Sequence, residues 1–250
     1  MKTRVAVIIL ITATAFCATV FSKDVRNIKP HRFDPYKLVA FENEHLPWGY
    51  PTWHSDQVIY RDAYTMGYNF EKRNADWVCY HVKNKFYRSA SYSAWTGDGA
   101  LPAGKIATPS DYKKIRKKPQ YEKGQLFPPE LARGNKRIKA QAFYMSNVLP
   151  MNRELTRGPW KGLNKQIKYW SSKYSDINVC AGPVFTDDDG DYFVEYDTIG
   201  ANNVAVPDSI YAVVSRYSGD NVKALAFLIP NNAGVKKQQA GRYLTTVDKV

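Results

Sequence analysis

Residues 121–129 read YEKGQLFPP, residues 142–150 read AFYMSNVLP and residues 157–170 read RGPWKGLNKQIKYW. The first stretch has the make-up of a site loop: a polar cluster, a glycine, apolar residues and two prolines. It holds no histidine, cysteine, serine or aspartate that could act as base, nucleophile or ligand. The second is apolar enough to form a strand. In the third and just beyond it, Trp160, Leu163, Ile167, Trp170 and Tyr174 recur at helical spacing and make one apolar face. Pro159 falls in the first turn, where a missing N–H is harmless. Lys161, Lys165, Lys168 and Lys173 fill other positions. The expected unit is strand Tyr121–Leu126, strand Ala140–Val148 and helix Pro159–Tyr174, and the helix stripe is packing surface rather than a cofactor box.

On either side of this unit the chain reads as α+β. Strands are expected at Gln57–Ile59, Tyr64–Tyr68, Trp77–Val82 and Phe86–Tyr92, then at Ile177–Ala181, Tyr192–Ile199, Ser209–Arg216 and Lys223–Ile229. A loop rich in Gly and Pro, Thr96–Pro109, leads into the basic run KKIRKK at 113–118. Residues 23–48 are polar, proline-bearing and without period, and read as a tail or linker. The Asp-rich TDDDGDYF at 186–193 superficially suggests a calcium loop. Its glycine would put Phe185 at the first ligand position, which cannot ligate, so a hairpin turn explains it better.

Composition narrows the class. The 250 residues, 44% hydrophobic and 14% aromatic, suit one domain with a sizeable core, and no period repeats along them. Lys and Arg number 36 against 23 acidic residues, a formal charge of +13 that favours polyanionic partners if it does more than keep the surface solvated.

At the amino terminus, Lys2 and Arg4 precede an uncharged run, Val5–Phe21, closed by Lys23 and Asp24. The run describes a secretory signal, cut after Ser22, and equally an anchor, because its 17 residues reach the lower limit for a membrane-spanning helix. We expect it to stay attached. Three cysteines make no disulfide framework. Cys17 lies in the apolar run, and Cys79 and Cys180 sit in strand-like segments where a buried free thiol is the ordinary explanation. One bridge between those two is the alternative.

The three opening stretches, together with GYPTWHSDQVIYRDAYTMGYNFEKRNADWVCYHV, ATPSDY, INVCAGPVF, IGANNVAVPDSIYAVV and ALAFLIPNN in that order, resemble the DNA/RNA non-specific endonucleases, most closely the endonuclease G type. The resemblance runs from about Gly49 to the end. It implies a central antiparallel sheet flanked by helices, with a ββα metal-binding finger at the site. The family loop reads Y-D-R-G-H-L-A-P. Tyr121, Gly124, Leu126 and Pro128 keep its frame, while Glu122 stands for the aspartate, Lys123 for the arginine and Gln125 for the histidine that serves as general base. The asparagine that holds magnesium is matched by Thr156, and the glutamate that supports the metal's water shell by Asn164. Asn147, Gly158 and Trp160 keep the pattern, but they shape the finger rather than react. In the family, relatives usually continue past the point matched by Val250.

The replacements fall on the chemistry. An imidazole takes a proton near neutral pH and the amide of Gln125 does not. Thr156 offers a neutral hydroxyl, and Asn164 removes a negative charge that would help to neutralise the ion. None of the four histidines offers a rescue. His31 and His45 fall in the tail, His54 lies at the start of the family region, and His81 in an expected core strand reads as a hydrogen-bonded structural residue.

No cofactor is therefore expected, and Mg²⁺ only if the site still works. Three functions stay open: a structural or interaction subunit of a membrane-associated complex, a nucleic-acid-binding pseudonuclease, and a weak magnesium-dependent endonuclease. Lys113, Lys114, Arg116, Lys117, Lys118 and Lys123 are the candidate polyanion contacts. Expected partners are protein subunits, with nucleic acid through the basic face and a membrane through Val5–Phe21 if uncleaved. The resemblance points to the mitochondrial inner membrane or intermembrane space, with a secreted or periplasmic setting as the alternative.

Overall fold

The computed structural model describes residues 44–52, 54–83, 92–113, 121–132, 136–186 and 194–250. Alternation and β-branched or aromatic content shape the first described third into three sequential strands: β1 (Gln57–Tyr60), β2 (Thr65–Asn69) and β3 (Asn74–Lys83). Strand β4 (Tyr121–Gln125) follows, then helix α1 (Lys136–Gln141), a 3-10 turn at Met145–Asn147 and strand β5 (Val148–Asn152). Two helices, α2 (Arg153–Arg157) and α3 (Pro159–Tyr174), lead to β6 (Asp176–Val184). The short β7 (Thr198–Ile199) and β8 (Val204–Ala205) precede β9 (Ser209–Ser218), β10 (Asn221–Pro230) and β11 (Leu244–Thr245).

Seven of these strands form one antiparallel sheet in the order β1-β2-β3-β6-β9-β10-β11. Its central joint, β3 against β6, sets Tyr80 opposite Val179 and Val82 opposite Ile177. One sheet face carries Val78, Tyr80, Val82, Val179, Ala181, Ala212, Val214 and Ile229, all buried in one cluster with Trp160, Leu163 and Ile167 of α3. Each such side chain removed from water contributes about 1.5–3 kcal/mol, so this face fixes α3 across the sheet. The α+β class, the antiparallel sheet and the flanking helices are as the sequence led us to expect.

Several local expectations need correction. Residues 140–147 are not a strand. The run finishes α1 and turns through Met145–Asn147, and the strand is Val148–Asn152. A short apolar run does not tell helix from strand by period alone. Pro150 can sit in β5 because that strand pairs only with β4. Of the expected strand at 192–199, only Thr198–Ile199 is one among the described residues, and Phe86–Tyr92 lies outside them except for Tyr92, which is irregular. On α3, Asn164 and Ser171 are buried, while Tyr174 at the end of the stripe is exposed.

Cys79 and Cys180 are not free thiols but a disulfide, linking direct partners of β3 and β6. The sequence left the two alternatives open, because only the strand register brings positions 101 residues apart together. The segment read as linker to residue 48 also packs on the sheet from His45, which is buried with Leu46. His81 is the structural residue expected: its Nε2 bonds Asp176, and its backbone N–H donates to His45 Nδ1 at 3.2 Å. Val5–Phe21 and most of the Asp-rich stretch fall outside the described residues. Among the described ones, no helix is long and apolar enough to cross a membrane.

Candidate active site

The site unit is the β4–β5 pair with α2 and α3 beyond it. Gln125 pairs with Val148 and Gly124 with Leu149. A Cβ on Gly124 would overlap the Met151 side chain, so glycine is what lets the two strands close. Asn147 clamps the loop that follows. Its Nδ2 donates to Phe127 O (2.9 Å) and Ala142 O (3.0 Å), and its Oδ1 accepts from the Phe127 N–H (2.8 Å). From the helix side, the Trp160 indole N–H donates to Gln125 O at 3.0 Å. Loop, strand and helix are thus joined through backbone groups, independently of what the reacting side chains are.

The six candidate residues are distributed as follows. Gln125, Asn147 and Trp160 form one bonded unit, and the Gln125 Nε2 donates to Ala142 O at 2.8 Å. Glu122 accepts from Arg157 Nε (3.2 Å) and Nη2 (2.5 Å) and pairs with Arg153 (3.5 Å), which ties β4 to α2. Thr156, on α2 beside Arg157, donates its hydroxyl to Asn152 O one turn back, at 3.0 Å. Asn164 is 4% exposed, and its Oδ1 is buried without a hydrogen-bond partner. Lys123 sits over the rings of Trp95 (5.4 Å) and Tyr112 (5.3 Å), where burial and then Lys113 hold its ammonium below the ordinary lysine range. Of the basic run, Lys113 is described and flanks Lys123, whereas Lys114, Arg116, Lys117 and Lys118 lie outside the described residues.

Sequence reasoning missed Arg153 and Arg157 as partners of Glu122, and Trp95 and Tyr112 as the walls around Lys123. The Arg residues carry no local signal of their pairing with β4, which the fold alone brings about. The aromatic walls come from a loop whose path no local pattern reveals.

The donor set does not fit a magnesium ion. Mg²⁺ dehydrates reluctantly and is usually held through one or two carboxylates. Thr156 and Asn164 are neutral, and Glu122 of β4 is engaged by two arginines. Asn164 Oδ1 is an orphaned acceptor that a metal-bound water could satisfy, but it supplies no charge. Among the described residues, no group of three or more His, Cys, Asp or Glu side chains is placed to hold a metal.

A second concavity lies on the opposite face of the large sheet. This cavity of about 790 Å³ is bordered by Trp48 and Tyr50, the Cys79–Cys180 disulfide, Tyr211, Val213 and Val222. None of the finger residues borders it.

Comparison with known proteins agrees with this geometry. A sequence model described as DNA/RNA non-specific endonuclease matches residues 42–250. Human mitochondrial endonuclease G is 26% identical over 201 residues, covering 78% of this chain and 66% of that protein. Mouse mitochondrial nuclease EXOG is 28% identical over 180 residues, covering 68% and 48%. Nuclease C1 of Cunninghamella echinulata var. echinulata is 30% identical over 183 residues, covering 69% and 71%. The chain therefore spans about half to two thirds of the length of these mitochondrial relatives. A crystal structure of the EndoG/EndoGI complex shares the fold, with a TM-score of 0.72, 23% identity, and coverage of 81% and 84%.

Proposed function

This chain belongs to the DNA/RNA non-specific endonuclease family, and we propose that within it the chain is a catalytically silent member whose fold serves as an interaction subunit of a membrane-associated complex. The observation that carries the reading is the joint state of Gln125, Thr156 and Asn164. In the family pattern these positions hold a base, a metal ligand and a supporting negative charge. In this chain none of the three titrates near neutral pH or carries charge, and two of them hydrogen-bond backbone carbonyls. Loss of a positioned base alone costs about 10²–10⁴-fold in rate, and a neutral donor pair weakens metal binding as well. The kept frame of Gly124, Asn147 and Trp160 supports retention of shape.

Mitochondrial residence is part of the proposal. It is supported by the mitochondrial relatives and by the Cys79–Cys180 bridge, which needs an oxidising compartment such as the intermembrane space. That a fold relative is seen in a complex with another protein is consistent with a binding role.

A second reading, nucleic-acid binding without cleavage, is favoured by one observation: Lys123 stands against two aromatic rings with Lys113 near it, beside the old site. It predicts binding that weakens steeply with salt.

The test is plasmid and RNA cleavage by the purified chain with Mg²⁺ or Mn²⁺. The expected outcome is no cleavage above background, with measurable activity regained in Gln125→His/Thr156→Asn/Asn164→Glu. Robust metal-dependent cleavage by the unaltered chain, abolished in Gln125→Ala, overturns the reading.

A further inference from the structure

Four strands of the large sheet and helix α3 converge at one end of that sheet. There β9 ends and β10 begins, β6 starts at Asp176, β3 ends at Lys83, and α3 ends at Tyr174. Glu44, the first described residue, is fastened at this same end by its pair with Lys83 at 3.1 Å. The surface of this pole is unusual for a solvated tip. Trp48, Tyr217 and Val222 are 48%, 54% and 48% exposed on the face away from α3, and Tyr174 and Leu225 are exposed on the α3 side. They are held in place rather than loose. The Trp48 ring lies 4.8 Å from that of Tyr217, and its indole N–H donates to Ser215 Oγ at 2.9 Å. Tyr217 is the direct cross-strand partner of Val222.

The rim on the α3 side is cationic. Arg216 stacks on the Tyr174 ring at 4.1 Å, Lys173 lies over the same ring at 5.2 Å, and Lys223 is the cross-strand partner of Arg216. Lys161, Lys165 and Lys168 continue the positive charge along the outer face of α3, which carries no acidic residue. Of the carboxylates of the pole, Glu44 is paired with Lys83 and Asp176 is hydrogen-bonded to His81. The others are Asp220 in the β9–β10 turn and Asp248 next to Lys249.

Aromatic side chains with one wet edge, branched aliphatics and a fringe of Lys and Arg make the chemistry of a bilayer interface, where rings sit at headgroup level and cations meet anionic lipid. The connection of the chain agrees. The apolar run ends at Phe21, and 22 residues (22–43) separate it from Glu44. Fully extended, a stretch of that length reaches about 75 Å at most. If the run is held in a membrane, the point where the chain enters the folded domain is this pole.

We propose that the pole formed by Trp48, Tyr217 and Val222, ringed by Lys173, Arg216 and Lys223, is a docking surface for an anionic phospholipid bilayer. This goes beyond the silence of the finger and holds whether or not the finger cuts nucleic acid.

The experiment uses the full chain on phosphatidylcholine vesicles with and without phosphatidylglycerol, read by amide hydrogen exchange. On the anionic vesicles, Gly49–Tyr50 and Asn221–Leu225 become protected, and the protection is lost in high salt. Neutralising three cations, each contributing about fivefold near a charged surface, in Lys173→Gln/Arg216→Gln/Lys223→Gln lowers the protecting affinity about 100-fold. All three residues are surface-lying, and the exchange measurement on the unaltered chain stands independently of the variant. Equal protection on both vesicle types, or retention through the amino-terminal run with the pole unprotected, overturns the proposal. So does protection of the pole only in a complex isolated from cells, which would assign the surface to a protein.

Discussion

Lowering the pH from 7 to 5 will loosen the segment that carries Trp48 from the sheet, and His45 sets the size of the effect. This histidine is buried, and burial is the largest cause that pulls its pKa from 6.5 down to about 4. Glu44 opposes the shift and His81 adds to it. In the fold it is neutral, accepting the His81 N–H on Nδ1. The unfolded chain takes up a proton at ordinary histidine pKa and the folded chain does not. Stability from this group is therefore complete above about pH 6.5 and falls as pH drops toward 4. Each unit of difference is worth 1.36 kcal/mol, so the ceiling is about 3 kcal/mol, with about 2 kcal/mol already lost at pH 5. The assay is urea unfolding at both pH values with the disulfide intact, comparing the unaltered chain with His45→Asn, which keeps an acceptor toward His81 but does not titrate. Ionisations elsewhere in the molecule cancel in the comparison. The unaltered chain is expected to lose about 2 kcal/mol more than the variant, with early exchange at Glu44–Thr52. Equal losses in the two proteins would refute the idea that an uncharged His45 fastens this segment.

Two further outcomes follow from buried positions. Asn164→Glu places a carboxyl where 4% of the residue is exposed, which raises its pKa. The variant should be about 3 kcal/mol less stable than the unaltered chain at pH 7 and recover most of that by pH 5, because a raised acid pKa contributes stability only at low pH. Urea curves at the two pH values check it, and a pH-independent deficit would show that packing rather than charge is the cost. Replacing Cys79 and Cys180 by Ala opens a link across a sequence separation of 101 residues, and the loss expected from unfolded-state entropy is about 4–5 kcal/mol. A denaturation midpoint unchanged by the substitution or by reductant would show that the bridge does not form in solution.

What was legible in the sequence divides along physical lines. Helix α3 was readable to the residue because Pro159 marks its start and the apolar spacing runs through four turns. The long strands were readable because β-branched and aromatic runs admit few alternatives, and β3, β6, β9 and β10 appear where expected with ends shifted by a few residues. Residues 140–147 were misassigned because Ala142, Phe143 and Met145 are apolar for tertiary reasons. They fill the core from a helix end and a turn, and no local period distinguishes that from a strand. The disulfide, the burial of His45 and the aromatic walls around Lys123 depend on register and loop path between positions far apart in the chain, information that short-range patterns do not hold. The bonds that Asn147 and Trp160 make to the backbone explain why the motif frame is readable in the sequence.

The same bonds account for how a nuclease finger can change its chemistry and keep its shape. Asn147 holds three backbone groups, Trp160 a fourth, and Gly124 permits the strand contact; each is buried or sterically fixed, and each would cost stability if altered. Gln125, Thr156 and Asn164 carry no comparable part of the framework. Gln125 shares its acceptor, Ala142 O, with Asn147; Thr156 bonds the carbonyl of Asn152, the residue that caps its own helix; and the Asn164 oxygen bonds nothing. Exchange for neutral side chains of similar size at these three positions therefore costs the fold little, although a charge at buried Asn164 destabilises it. Under the proposed loss of catalysis, a chain selected for its surface alone would change at these positions first and keep the clamp residues, because only the clamp residues hold the backbone.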